Sequence, residues 1–471
     1  MKKIKMKKII EGGILICFTL ASLCMTSTVF AESHPGYSYE SDIGYQNPTW
    51  MSKLEDTKRI SEVSIPGTHG SMALHGASLI DENLTRNQTM ALSQQLNAGI
   101  RYVDMRVRRV KDSFVMHHGI VNQKAKFDDV LKETIQFLRD NPDETILMRL
   151  KEEHDAESGS LSFEEIFKRY KDSNAAYFWD PNSVTLSERN NPKLGDIRGK
   201  IVILQNFTAS KQYGINYEYL NTQDKFEVGS GPDGMYEKWK AVKTHLQDAN
   251  TNYKNGVIYL NHFSGTGGVT ALINNCYPWF VASGKDSRET DSNSKLIQKN
   301  ATNEWEDFPR GMNGQIFYGG MNTLGTEILQ DGGIKHSGII AADFPGPGLI
   351  DSIIRLNGIN SSEKEILISQ ILSESKPLSG QKNRSSQNFK INDLPKGTKG
   401  LKWIIEPTEK DNPSNISFNV MVDVSLGTDS VRWEKISNES RTEAYTNTKY
   451  YIANPSGATN NFTVKIYAIT N

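Results

Sequence analysis

Short apolar runs recur along the first three quarters of the chain, and several close on a residue with acid, base or ionic chemistry. Val63–Thr68 leads into His69, Ile100–Met105 into Arg106, Phe114–His117 into His118, Thr145–Leu150 into Lys151 and Glu153, and Gly338–Ala342 into Asp343. Two further runs, Lys200–Leu204 and Val257–Asn261, have the same texture. Between such runs lie helix-like stretches, of which Phe127, Val130, Leu131, Ile135 and Leu138 fall close to a 3.6-residue spacing. Strand and helix patterns alternating from Met51 to Leu356 predict a parallel sheet with crossover helices, and a segment of this length suits an α/β barrel. In such a barrel the carboxyl ends of the strands share one rim, so the polar residues that close the runs are expected to meet there.

After Asn357 the pattern changes. Glu363–Leu372 reads as a short helix, and the polar stretch Ser373–Asn388 as a linker. Beyond it Phe418–Val424, Val431–Trp433, Lys449–Ile452 and Phe462–Tyr467 alternate with the two-residue period of half-buried strands, which predicts a small C-terminal β-sandwich. The expected organisation is a leader over 1–31, a distorted (β/α)8 TIM-like barrel over 32–357, a helical segment and linker over 358–388, and the sandwich over 389–471.

Composition adds a compartment. Lys2, Lys3, Lys5, Lys7 and Lys8 precede an apolar stretch from Gly12 to Met25 and a Val29-Phe30-Ala31 ending, the pattern of a secretory signal peptide. The stretch is shorter than the roughly 20 residues a spanning helix needs, so a secreted, extracellular chain starting near Glu32 is expected. Removing the signal leaves Cys276 as the one cysteine, which excludes an intrachain disulfide and a cysteine metal site. It also removes five lysines and Glu11, taking the formal net charge from −1 to −5. That balance argues against nucleic acid and against a polybasic grip on membranes.

The residues at the run ends form a chemical set. Cleaving a phosphodiester by attack of a neighbouring hydroxyl requires a base for the nucleophile, an acid for the leaving alcohol, and positive charge beside the transition state. His69, His118 and Arg106 meet that need without a metal or other cofactor: imidazole titrates near ~6.5, and a guanidinium stays charged and fits phosphate oxygens. Strand pleating puts Asp104, Arg106 and Arg108 on one face, and Lys151 with Glu153 on one face. The plainer readings are an Arg106 bridge to Asp104 or Glu153, an Asp343 that only caps the Pro345–Gly348 turn, and a solvated Lys151–Glu153 pair. His154, His245, His262 and His336 read as surface or packing histidines, with His262 alone ending a strand.

Ile65-Pro66-Gly67-Thr68-His69, Val103-Asp104-Met105-Arg106, Met116-His117-His118-Gly119, Asn141-Pro142-Asp143-Glu144-Thr145-Ile146 and Gly195-Asp196-Ile197-Arg198-Gly199-Lys200-Ile201-Val202 follow one another in the order found in a known family. Together they resemble the bacterial phosphatidylinositol-specific phospholipases C over residues 50 to 356. The resemblance implies a distorted, partly open TIM barrel and metal-independent cleavage of phosphatidylinositol into diacylglycerol and a cyclic inositol phosphate. It implies His69 as general base, Asp343 as its orienting partner, His118 as general acid and Arg106 as phosphate ligand. Lys151, Glu153 and Asp224 would bind the head group, and Asp104 would orient its neighbours.

Three positions depart from the family pattern. Gly70 stands where an aspartate supports the acid histidine. Asn206 stands where an arginine meets the sugar hydroxyls, and Phe226 where a tyrosine stacks on the ring. The departures leave two alternatives: a phosphodiesterase of this fold for another lipid head group, and a lipid- or glycan-binding protein with weak turnover. The expected partner is phosphatidylinositol in a membrane, approached transiently by a monomer. Tyr277, Trp279 and Phe280 could enter the headgroup layer, or Trp279 and Phe280 could pack the barrel; Trp403 and Trp433 are open between core and contact.

Overall fold

The computed structural model describes residues 36–76, 82–229, 231–267, 276–288, 298–299, 305–310, 316–359, 364–391, 394–395, 398, 400–408, 411–424, 429–438, 440–444 and 446–470. The leader expected over 1–31 lies outside the described residues.

Eight parallel strands form the first unit: β1 (Ile65–Thr68), β2 (Tyr102–Val110), β5 (Ile146–His154), β6 (Ile201–Asn206), β7 (Ile215–Asn216), β8 (Asn221–Gln223), β9 (Tyr259–His262) and β12 (Ile339–Ala342). Their order is β7-β6-β5-β2-β1-β12-β9-β8. The fold is therefore α/β, with a curled parallel sheet. Among the described residues β7 and β8 do not pair, so the sheet stays unclosed at that seam. The central strands begin on buried apolar residues, Tyr102 and Val103 of β2, Ile146–Met148 of β5 and Ile201–Leu204 of β6, because a parallel sheet covered on both faces buries them. Helix Phe127–Asp140 illustrates the fit: Phe127, Val130, Leu131, Thr134, Ile135 and Leu138 are buried, and Asp129 accepts the Lys126 N–H at its start.

A hairpin of β3 (Ser113–His118) and β4 (Val121–Lys126) grows from β2. The run closing on His118 is thus antiparallel to β2, in contrast to the parallel strand expected from its texture. It reaches the rim by folding back, because Lys111 and Asp112 form a tight turn between Val110 and Ser113. A two-residue ribbon, β10 (Gln298–Lys299) with β11 (Ile316–Phe317), lies apart from the main sheet. Trp279 and Phe280, on helix Pro278–Ser283, pack in the apolar core and are not available as contact residues.

The C-terminal residues form two four-stranded antiparallel sheets. One contains β13 (Lys364–Ser373), β15 (Gly400–Pro407), β18 (Arg441–Thr442) and β20 (Phe462–Thr470); the other contains β14 (Phe389–Ile391), β16 (Ser417–Val422), β17 (Ser430–Ser437) and β19 (Asn447–Ser456). Trp403, Phe418, Trp433, Tyr450 and Phe462 share one core between them, which settles both tryptophans as packing residues. The helix expected over Glu363–Leu372 is instead the strand β13, paired with β20. A register shift between Leu367 and Ser369 breaks its two-residue alternation and mimics a helical spacing. The stretch 373–388, expected as a linker, connects β13 to β14, and Ser385 and Ser386 in it are buried. No helix among the described residues is long and apolar enough to cross a membrane.

Candidate active site

Strand register brings the first pair together. Thr68 lies opposite Ala342 in the β1–β12 pairing, so the residues that follow, His69 and Asp343, leave the sheet side by side. His69 Nδ1 is 2.8 Å from Asp343 Oδ1. Gln88 braces both strand ends, donating to the carbonyls of His69 (2.8 Å) and Ala342 (2.9 Å). With Nδ1–H donating to the buried carboxylate, the lone pair of His69 sits on Nε2 and faces Arg106, whose Nη2 is 2.7 Å away.

Arg106 is the hub of the charged floor. Its Nε donates to Asp104 Oδ2 (3.0 Å) and its Nη1 to Glu153 Oε1 (3.0 Å). Asp104 and Arg106 are two apart on β2, and Arg106 lies opposite Lys151 of β5, so pleating and register assemble the set. Burial opposes the charge on Arg106, but Asp104 and Glu153 outweigh it and hold the guanidinium protonated. Burial likewise opposes the charge on Asp104, and Arg106 with Arg149 keeps its carboxyl well below the usual range. Lys151 is 3.2 Å from Glu153, so the plain ion-pair readings of Arg106 and Lys151 both describe real contacts, made at the wall of one cavity. Arg108, expected on the same face, turns away to the carbonyl of Asp155 after an irregularity in the β2–β5 pairing.

His118 reaches the same cavity from the hairpin. Its Nδ1 is 2.9 Å from the Thr85 carbonyl, which fixes the ring and leaves Nε2 as the free nitrogen. Gly70 has a left-handed φ of +50, and a Cβ there would come 3.0 Å from Asn87 Oδ1, so the backbone carbonyl, not a side chain at position 70, supports this imidazole. Burial, then the charges of Arg106 and His69, push the His118 pKa down to about 4.

The cavity, about 380 Å³, is lined by His69, Arg106, His118, Lys151, Glu153, Asp224, Phe226 and Asp343, together with Asn87, Arg149, Ser264 and Thr266. Asp224 and Phe226 come from the loop after β8, and Phe226 is 54% exposed at the mouth. Asn206 does not line the cavity; its Oδ1 accepts two N–H groups of Arg149 at 3.0 and 2.9 Å. Expected to bind the ligand, it is placed by the structure against Arg149, which does line the cavity. Arg149 is a site residue that the apolar-run pattern hid. His262 is fully buried beneath the floor with its ring centroid 5.8 Å from that of His69, and burial holds its pKa far below the ordinary value.

A base with a carboxylate behind it, a second imidazole, and a guanidinium between carboxylates around one polar cavity define a site for phosphodiester chemistry at the rim of an α/β sheet. Residues 63–207 match the family model described as phosphatidylinositol-specific phospholipase C, X domain. The 1-phosphatidylinositol phosphodiesterase of Listeria monocytogenes is 33% identical over 265 residues, covering 54% of this chain and 79% of that protein. The protein of the same name from Staphylococcus aureus strain Newman is 28% identical over 247 residues, 47% of this chain and 77% of that one. The solved phosphatidylinositol-specific phospholipase C of L. monocytogenes matches at 27% identity with a TM-score of 0.46, over 66% of this chain and 98% of that chain. The chain belongs to the bacterial phosphatidylinositol-specific phospholipase C family, whose X domain it carries.

Proposed function

We propose that the chain is a secreted phosphatidylinositol-specific phospholipase C that cleaves the glycerol–phosphate bond of phosphatidylinositol. The inositol 2-hydroxyl oxygen attacks phosphorus while His69 Nε2 takes its proton. The bond to the glycerol oxygen breaks, and His118 donates the proton that makes free diacylglycerol. The other product is inositol 1,2-cyclic phosphate. Arg106 places fixed positive charge beside the non-bridging oxygens, which is worth most in a site with little water. Asp343 holds the His69 tautomer and favours the imidazolium formed during attack. Lys151, Glu153 and Asp224 meet ring hydroxyls, and Phe226 offers its face to the ring.

The observation that carries this reading is the chain of contacts Asp343–His69–Arg106, at 2.8 and 2.7 Å, on the same cavity as His118. The scheme calls for no metal ion, because the guanidinium supplies the charge. The test is product release from vesicles in the presence of a chelator. Water-soluble phosphate should appear from phosphatidylinositol and not from phosphatidylcholine; release from phosphatidylcholine would point to another head group, and tight vesicle binding without product to a binding protein.

Export is part of the proposal, supported by the basic and apolar leader; the mature protein should begin near Glu32 by N-terminal sequencing. Approach to the membrane would be peripheral and transient, by a monomer. The two C-terminal sheets and their shared core support a β-sandwich module that begins near Lys364 and serves binding or stability.

A further inference from the structure

The family pattern places an arginine at position 206, and this chain has Asn206 there, yet the cavity does hold a second guanidinium. Arg149 lies on β5, two residues before Lys151 and on the same face. Asn206, on the neighbouring strand, pairs with Lys151 in the β5–β6 register. Arg149 lines the cavity although it is only 5% exposed.

Its contacts pair its charge with Asp104 but leave its hydrogen bonding incomplete. Two of its nitrogens, Nε and Nη2, are held by one neutral amide oxygen of Asn206. The ring of Tyr217 lies 4.3 Å from the guanidinium carbon and supports it from the side. Among the described residues its carboxylate contact is a long ion pair, Nη1 to Asp104 Oδ1 at 3.5 Å, and Asp104 Oδ2 is already taken by Arg106. Among the described residues Arg149 Nη1 has no hydrogen-bond partner although it is buried. A buried donor of this kind is costly unless a ligand completes it.

We infer that Arg149 is the charged donor to the ring hydroxyls of the head group, delivered from β5 and aimed by Asn206. Arg106 faces the phosphorus side, so the cavity carries one guanidinium for the phosphodiester and a second for the polyol. Asn206 is a positioning residue, acting only through Arg149. This inference rests on the phosphatidylinositol reading above.

Soluble probes separate the two halves of the head group. For Arg149→Met, inhibition by free myo-inositol should weaken by about tenfold to a hundredfold, the range for losing a charged hydrogen bond. The KM for inositol 1,2-cyclic phosphate should rise in parallel, while inhibition by inorganic phosphate changes by less than about twofold. Arg149→Lys, which keeps the charge and loses the fork, should fall between and guards against misfolding of the apolar variant. The double variant Arg149→Met with Asn206→Arg should recover part of the lost myo-inositol affinity. If phosphate and myo-inositol weaken together, Arg149 serves Asp104 and Arg106 and the inference falls; unchanged myo-inositol inhibition overturns it equally. A wild-type protein that cleaves no phosphatidylinositol would instead remove the parent reading.

Discussion

Two arginine–carboxylate networks sit along β2, one at the residue before its first and one within it, and the two are built on opposite plans. At the amino end Arg101 and Glu144 are both fully buried, with Nε 2.7 Å from Glu144 Oε2 and the remaining donors on the carbonyls of Leu96, Ile100 and Pro48. Glu144 also accepts the Ser52 N–H through its other oxygen, so nothing there waits for a partner. Further along, toward the cavity end, Arg106 shares Asp104 with Arg149, and among the described residues Asp104 Oδ1, Asp343 Oδ2 and Arg149 Nη1 lack hydrogen-bond partners. Similar charges thus serve as a fastener at one end and as an unfinished receptor at the other. What distinguishes them, beyond the slightly greater exposure of the second, is saturation of donors and acceptors.

The sharpest break in the comparison comes from the open end. His69→Ala and Arg106→Met should each lower kcat/KM on phosphatidylinositol vesicles by about a thousandfold or more, as expected for a general base or a charge at the transition state. The melting temperature should move little for His69→Ala and fall for Arg106→Met, which takes the main partner from buried Asp104; retention of most activity in either variant would contradict the assigned roles. The closed end should behave inversely. Arg101→Met leaves Glu144 buried and unpaired, at a cost of about 3–5 kcal/mol in denaturant titrations, with kcat/KM of the folded protein nearly unchanged.

A third effect is smaller and concerns protons. With its pKa pushed down to about 4, His118 is neutral in the free protein at neutral pH. A bound anion favours the imidazolium, raises that pKa, and should draw a proton from solution. Calorimetry of inorganic phosphate binding in buffers of different ionisation enthalpy near pH 6 should therefore show proton uptake, and His118→Gln should lose most of it. Proton release on binding would reverse the sign and exclude this account. The least effect is expected of Gly70→Asp. Thr85 already holds His118, and a side chain at a left-handed φ costs about 1 kcal/mol, so turnover should change by less than about threefold while the melting temperature falls slightly. A large gain in turnover would show that the carbonyl is a poor substitute for a carboxylate.

Much of the site was legible because polar residues closing apolar runs had few places to go. His69, Arg106, Lys151, Glu153 and Asp343 meet through strand register alone. Arg149 escaped because it sits inside such a run, although its spacing of two from Lys151 and four from Glu153 already put all three on one face. The support of His118 by Thr85 was invisible because a backbone carbonyl has no signature in the sequence. The contact of Asn206 with Arg149 was hidden for a related reason: a side-chain pair across neighbouring strands depends on their register, which a single position does not show. In the C-terminal half, Lys364–Ser373 showed the limit of periodicity, since one bulge is enough to turn a strand's rhythm into a helix's.

The unclosed seam has a consequence for handling the protein. Its two borders are only Ile215–Asn216 and Asn221–Gln223, so each offers a free backbone ladder too short for a stray chain to grip. An incomplete barrel would ordinarily risk pairing edge to edge; here the fringe is trimmed to a few residues, so such stacking should not start from the seam.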